Sequence, residues 1–70
     1  MSNLKTIREA SGLSQAKLAE ISGVSLRMIS YYEQGYKDIN KVQGITLYKI
    51  AQALNCKIED LLELKKEVEE

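Results

Sequence analysis

An all-α fold of five short helices is what this 70-residue chain predicts, and three observations carry that prediction. Proline is absent, and Leu, Ile, Ala, Lys, Glu and Gln, which together favour helix, recur throughout. Apolar residues return at spacings of three and four, the period of one helix face. Serines that can cap a helix start, Ser14 and Ser25, precede apolar stretches, and glycines that can end one, Gly12, Gly23 and Gly35, follow them. A chain of this length makes one domain and buries only about 60% of the surface its unfolded form exposes. A lone Cys56 can form no internal disulfide, so stability has to come from packing, aided by dimerisation.

The first helix is expected from Asn3 to Ser11, with Leu4, Ile7 and Ala10 on one face and Leu13 anchoring the connection that follows. Ser14 caps a second helix to Ser22, in which Leu18, Ala19 and Ile21 face inward and Gly23 makes a tight turn. Ser25 caps a third through Gln34, with Ile29 and Tyr32 as its inward stripe and Met28 without an assignment. Tyr36 to Gln43 lacks periodicity and reads as a loop. A fourth helix runs from Gly44–Thr46 to Leu54 with Leu47, Ile50, Ala51 and Leu54 buried, and Asn55 ends it in the left-handed conformation. Ile58, Leu61, Leu62 and Leu64 define a fifth, and Lys65 to Glu70 forms an acidic, frayed tail beyond the domain of residues 1–64.

The second and third predicted helices are joined by a turn too short to let them lie antiparallel. They must cross steeply, with small Ala19 allowing close approach and Val24 and Ile29 filling the crossing, the pattern of a helix-turn-helix. In order along the chain stand Arg8, Gly12-Leu13-Ser14-Gln15, Leu18-Ala19, Gly23-Val24-Ser25, Ile29, Tyr32-Glu33-Gln34-Gly35, Ile50 to Cys56, and Asp60-Leu61-Leu62. Through these residues, over Leu4 to about Glu63, the sequence resembles the lambda repressor and Cro domains, the XRE-type regulators. The stretch from Tyr36 to Gln43 is a few residues longer than in compact phage members, so loop contacts transfer less directly than helix contacts.

On the third helix, Leu26, Arg27, Ser30, Tyr31 and Gln34 share a second stripe that the core does not claim. The resemblance implies that the start of this helix enters the major groove and that Ser25, Leu26, Arg27 and Tyr31 contact bases. Arg27 can donate two hydrogen bonds to guanine, and Leu26 can meet a thymine methyl group. Gln15, at the start of the second helix, is implied to hold a phosphate. Further phosphate contacts are expected from Lys17, Ser30, Gln34, Lys37, Lys41 and Thr46. Arg8 and Glu33 are implied to form a structural ion pair bracing the third helix against the first.

The formal net charge of zero argues at first against a phosphate-rich ligand, but its distribution does not. From Met1 to Lys57 eight basic side chains face four acidic ones, net +4; from Ile58 to Glu70 two face six, net −4. An acidic end is expected to point away from the DNA backbone. With no histidine and no nucleophile, base and metal set, the chain is not expected to be an enzyme, and neither cofactor, metal nor small-molecule ligand is expected. No apolar run approaches the length of a membrane span, the start lacks the apolar stretch of a signal peptide, and a cytoplasmic protein is expected.

The function expected is sequence-specific binding of double-stranded DNA by a small regulator, a repressor in the first instance, as a homodimer on a pseudo-palindromic operator. Ile58, Leu62, Leu64 and Val68 are the dimer candidates. An alternative use of the same scaffold is a protein-interaction or antitoxin-like module acting through the acidic Glu59 to Glu70 end.

Overall fold

The computed structural model describes residues 2–63, which fold into α1 (Asn3–Ala10), α2 (Gln15–Ser22), α3 (Leu26–Gln34), a 3-10 turn (Ile39–Lys41), α4 (Gly44–Leu54) and α5 (Ile58–Leu61). Leu64 and Val68, together with the tail Lys65 to Glu70, lie outside the described residues. Serine starts each of the first three helices. The Oγ atoms of Ser2, Ser14 and Ser25 accept the backbone N–H of Lys5, Lys17 and Met28 at 3.1, 3.0 and 3.1 Å, satisfying amides that have no partner inside the helix.

Each α-helix sends one aliphatic side chain to the centre, where Leu4, Leu18, Ile29, Ile50 and Leu61 are fully buried. Val24, Tyr32, Ile39, Leu47, Ala51 and Leu54 complete this core, and Leu13 and Met28 pack against it. Burying each large aliphatic is worth about 1.5–3 kcal/mol, the driving force that holds helices too short to persist alone. The fourth helix buries its expected stripe, and Asn55 ends it at φ 56° and ψ 45°.

Four expectations are corrected. Ile21 does not face inward; it is 51% exposed. At about 100° per residue, Leu18, Ala19 and Ser22 share one side of α2, and Ile21 falls beyond Leu18 on the side away from Ser22. Ser22 is buried in its place, where its Oγ accepts the Val24 N–H at 3.1 Å and pins the turn. Ala10 is exposed because Leu4 and Arg8, one turn apart, take the buried side of α1, which ends at Ala10 with Ser11 as its C-cap. The stretch from Tyr36 to Gln43 is not featureless: Asp38 Oδ1 accepts the Asn40 N–H at 2.9 Å, opening a 3-10 turn that carries Ile39 into the core. Finally, α5 ends at Leu61 and Leu62 is its half-buried cap residue.

The end of α5 is tied down by side chains from distant segments. Asn3 Nδ2 donates to the Leu62 carbonyl at 2.7 Å, and Asn40 and Glu63 exchange two hydrogen bonds, Asn40 Nδ2 to the Glu63 carbonyl at 3.1 Å and Glu63 N–H to Asn40 Oδ1 at 2.8 Å. Glu63 also lines a shallow cleft with Ser2, Glu33, Gln34 and Gly35, so the start of the acidic end sits at the C-terminal end of α3. The N-terminus of α3, eight residues away, is about 12 Å from there.

Candidate nucleic-acid interface

The turn between α2 and α3 is only Gly23, Val24 and Ser25. Gly23 takes φ 79°, where a side chain is disfavoured, and donates its N–H to the Ala19 carbonyl at 2.9 Å. Val24 is buried at the crossing, so the chain leaves α2 and enters α3 with no slack.

On α3 the inward positions Ile29 and Tyr32 leave Leu26 and Arg27 exposed at the helix start, Leu26 at 46%. Ser25 Oγ accepts from Met28 N–H, which leaves its hydroxyl proton free to donate outward. Further along the same stripe Gln34 Nε2 donates to Ser30 Oγ at 2.6 Å, and half-buried Tyr31 meets Tyr36 edge to face with ring centroids 5.8 Å apart. Leu26, Arg27 and half-buried Tyr31 therefore lie on the side of α3 away from Ile29 and Tyr32, and Ser25 is exposed at the cap that precedes them.

The remaining residues of interest fall on the surrounding elements. Gln15 opens α2 and is half-buried; its Nε2 donates to Glu33 Oε1 at 2.9 Å, which fixes the amide while leaving it a second N–H. Lys17 is exposed and lies 3.5 Å from Glu20 Oε1, a surface pair worth at most about 1 kcal/mol. Lys37 and Lys41 are exposed after α3 and flank a shallow cleft with Tyr32, Tyr36, Asp38 and Val42. Thr46 is half-buried in the first turn of α4, with its N–H on the Gln43 carbonyl at 3.1 Å. The dimer candidates Ile58 and Leu62 are half-buried and pack against the core.

Arg8 and Glu33 meet across α1 and α3. Arg8 Nε lies 2.6 Å from Glu33 Oε2 and Nη2 3.0 Å from Oε1, while Nη1 donates to the Leu13 carbonyl at 2.7 Å. Burial alone would raise the Glu33 carboxyl, but the hydrogen bonds from Arg8 and Gln15 and the charges of Arg8 and Lys5 outweigh it, and the net shift is downward. The hydrogen bond from Arg8 to Glu33 likewise holds the guanidinium in its charged form. Burial raises the Cys56 thiol, and Asp60 adds to the effect, the reverse of what a reactive cysteine needs. Among the described residues no helix is long and apolar enough to cross a membrane.

Sequence reasoning missed Ser22 and Tyr36. Ser22 had a usable signal, a serine directly before Gly-Val at a helix end, where a hydroxyl can hold the turn's backbone. Tyr36 had none, since an aromatic beside glycine in a polar stretch reads only as loop.

A family model described as "Helix-turn-helix" matches residues 4–61. A protein of Methanocaldococcus jannaschii named "Putative HTH-type transcriptional regulatory protein" is 35% identical over an 80-residue alignment that takes in 91% of this chain. The chain spans only 25% of that relative's length. The family match and this relative together indicate a DNA-binding regulator rather than an enzyme. With its five helices, its short α2–α3 turn and a family match running from α1 to the last residue of α5, this chain belongs to the helix-turn-helix family, as a domain of the repressor and Cro (XRE) type.

Proposed function

We propose that this domain binds double-stranded DNA sequence-specifically and regulates transcription, as a repressor, by occupying its site. The observation that carries this reading is the start of α3. Leu26 and Arg27 are exposed there beside the Ser25 hydroxyl on a helix whose opposite face is locked into the core. An exposed leucine next to an exposed arginine suits a groove floor that offers a thymine methyl and a guanine edge. Ser25, Leu26, Arg27 and Tyr31 are the proposed base contacts. Gln15, Lys17, Ser30, Gln34, Lys37, Lys41 and Thr46 are the proposed phosphate contacts, which position the domain without specifying sequence.

Two copies on a pseudo-palindromic site, with half-sites about one helical turn apart, make the operator complex. A single module of this size buries only about 600–1,000 Å² on DNA, little for tight specific binding, so pairing supplies the rest. Selection of bound sequences from random duplexes tests the reading. Enrichment of an inverted repeat, bound with an affinity that falls steeply with salt, is the expected result. A pool that stays random, with affinity independent of salt, rejects it.

A further inference from the structure

Among the described residues Tyr36 is the large apolar side chain with the greatest exposure, at 73%, and its backbone is tied to the end of α3. Its backbone N–H donates to the Tyr31 carbonyl at 2.9 Å, and the Gly35 N–H donates to the Tyr32 carbonyl at 3.3 Å. With Gly35 at φ 84°, this is the paired-bond helix ending in which the residue after the glycine turns back over the last turn of the helix. The motif accounts for the contact between the Tyr36 and Tyr31 rings, 5.8 Å apart and inclined at 66°. It does not require a phenol at the position after the glycine, since any apolar side chain would cover Tyr31.

Because Tyr31 lies on the outward stripe of α3, a ring laid against it extends that stripe past the helix end. On its other side Tyr36 borders the cleft with Lys37 and Lys41, whose nearby carboxylate, Asp38, is engaged by the Asn40 N–H. A neutral donor thus stands between the outward stripe of α3 and two ammonium groups, on a ring that already rests against Tyr31. A group oriented in this way loses less side-chain entropy on binding than a free one.

We propose that Tyr36 is a DNA-contacting residue, its ring packing over a deoxyribose and its hydroxyl donating to the adjoining phosphate at the edge of the major groove entered by α3. This rests on the DNA-binding reading above. The contact involves no charged group of the protein, so it adds affinity without releasing a counterion and leaves the dependence on salt unchanged.

The test uses the full chain and the duplex selected from the random pool. Tyr36→Phe keeps the ring and its cover over Tyr31 and removes only the hydroxyl; it is expected to weaken binding by about threefold to tenfold with the salt slope and the melting temperature of the free protein unchanged. Tyr36→Leu keeps the apolar cover and removes the phenol, and is expected to weaken binding at least as much. Wild-type affinity in Tyr36→Phe, within twofold at every salt concentration, overturns the proposal while wild-type binding to the selected duplex leaves the DNA reading standing. A flatter salt slope in Tyr36→Phe also overturns it, because the hydroxyl would then act through the lysines. A wild-type protein that binds no duplex removes both.

Discussion

Arg8 on α1 and Glu33 on α3, 25 residues apart in sequence, form a two-point ion pair that is nearly closed to solvent, with side chains 10% and 2% exposed. Glu33 also receives the Gln15 amide, and Arg8 also reaches the Leu13 carbonyl. One carboxylate therefore joins the first helix, the start of the second and the end of the third. The orientation of α3 is set at its C-terminal end by these bonds and at its N-terminal end by the Gly23 turn.

Removing one partner of this pair strands the other. Glu33→Leu or Arg8→Met is expected to cost about 3 kcal/mol, out of a total stability of about 4–10 kcal/mol for a chain of this size. The double variant Arg8→Met with Glu33→Leu is expected to recover much of that loss. Urea denaturation midpoints measure all three, and equal instability of the double and the sum of the singles would show that the pair is not coupled.

The same carboxylate makes stability depend on pH in a defined direction. Its folded pKa lies below the ordinary value of 4.5, so its contribution is fully present above that value and is lost as pH falls through the folded pKa. Thermal melts between pH 7 and pH 2 are expected to show a fall in the acid range that is shallower in Glu33→Gln.

Two glycines respond in opposite ways to alanine. A methyl group at Gly23 or at Gly44 would meet no residue beyond its chain neighbours and the local helix backbone within 4 Å, so neither change creates a tertiary clash. Gly23 sits at φ 79°, and Gly23→Ala is expected to cost about 1–2 kcal/mol through its backbone alone. Gly44, in the first turn of α4 without a positive φ, is expected to gain about 0.5–1 kcal/mol on the same change.

Leu18 and Ile21 separate the two sides of α2. Leu18→Ala is expected to destabilise by about 2–5 kcal/mol, whereas Ile21→Ala stays within about 0.5 kcal/mol. Similar losses from both would mean that Ile21 is covered in solution.

Lys37→Ala is expected to weaken binding to all duplexes alike and to lower the salt slope by about 0.9. Titrations of the selected site and of a scrambled duplex at four salt concentrations measure it. Selective loss on one of the two would place Lys37 at a base.

Most of the fold was legible because its punctuation is local. Ser14, Ser25, Gly23 and Asn55 announce helix ends through their own side chains or backbone freedom, and the stripe from Leu47 to Leu54 is long enough to fix its own phase. Where the sequence misled, neighbours decided. Ile21 is apolar, but the phase of an eight-residue helix is set by which side meets α3 and α4, and that side ends in Ser22. Ile39 gave no periodic signal because a single residue on one 3-10 turn has none. Arg8 and Glu33 could be paired in advance only through the family resemblance, since nothing local connects residues so far apart. The outward stripe of α3 was visible as the positions the core leaves over, whereas the place of Tyr36 depends on how the chain turns back after Gly35.

The central claim is that the start of α3 reads base edges, with Arg27 on a guanine. Its most direct test crosses Arg27→Ala with 7-deazaguanine at each guanine of the selected site, which removes the N7 acceptor and leaves the base pair intact. At one guanine per half-site, the base change is expected to weaken wild-type binding about tenfold and to have no effect on Arg27→Ala. Losses that add at every guanine would contradict the placement of Arg27 in the major groove.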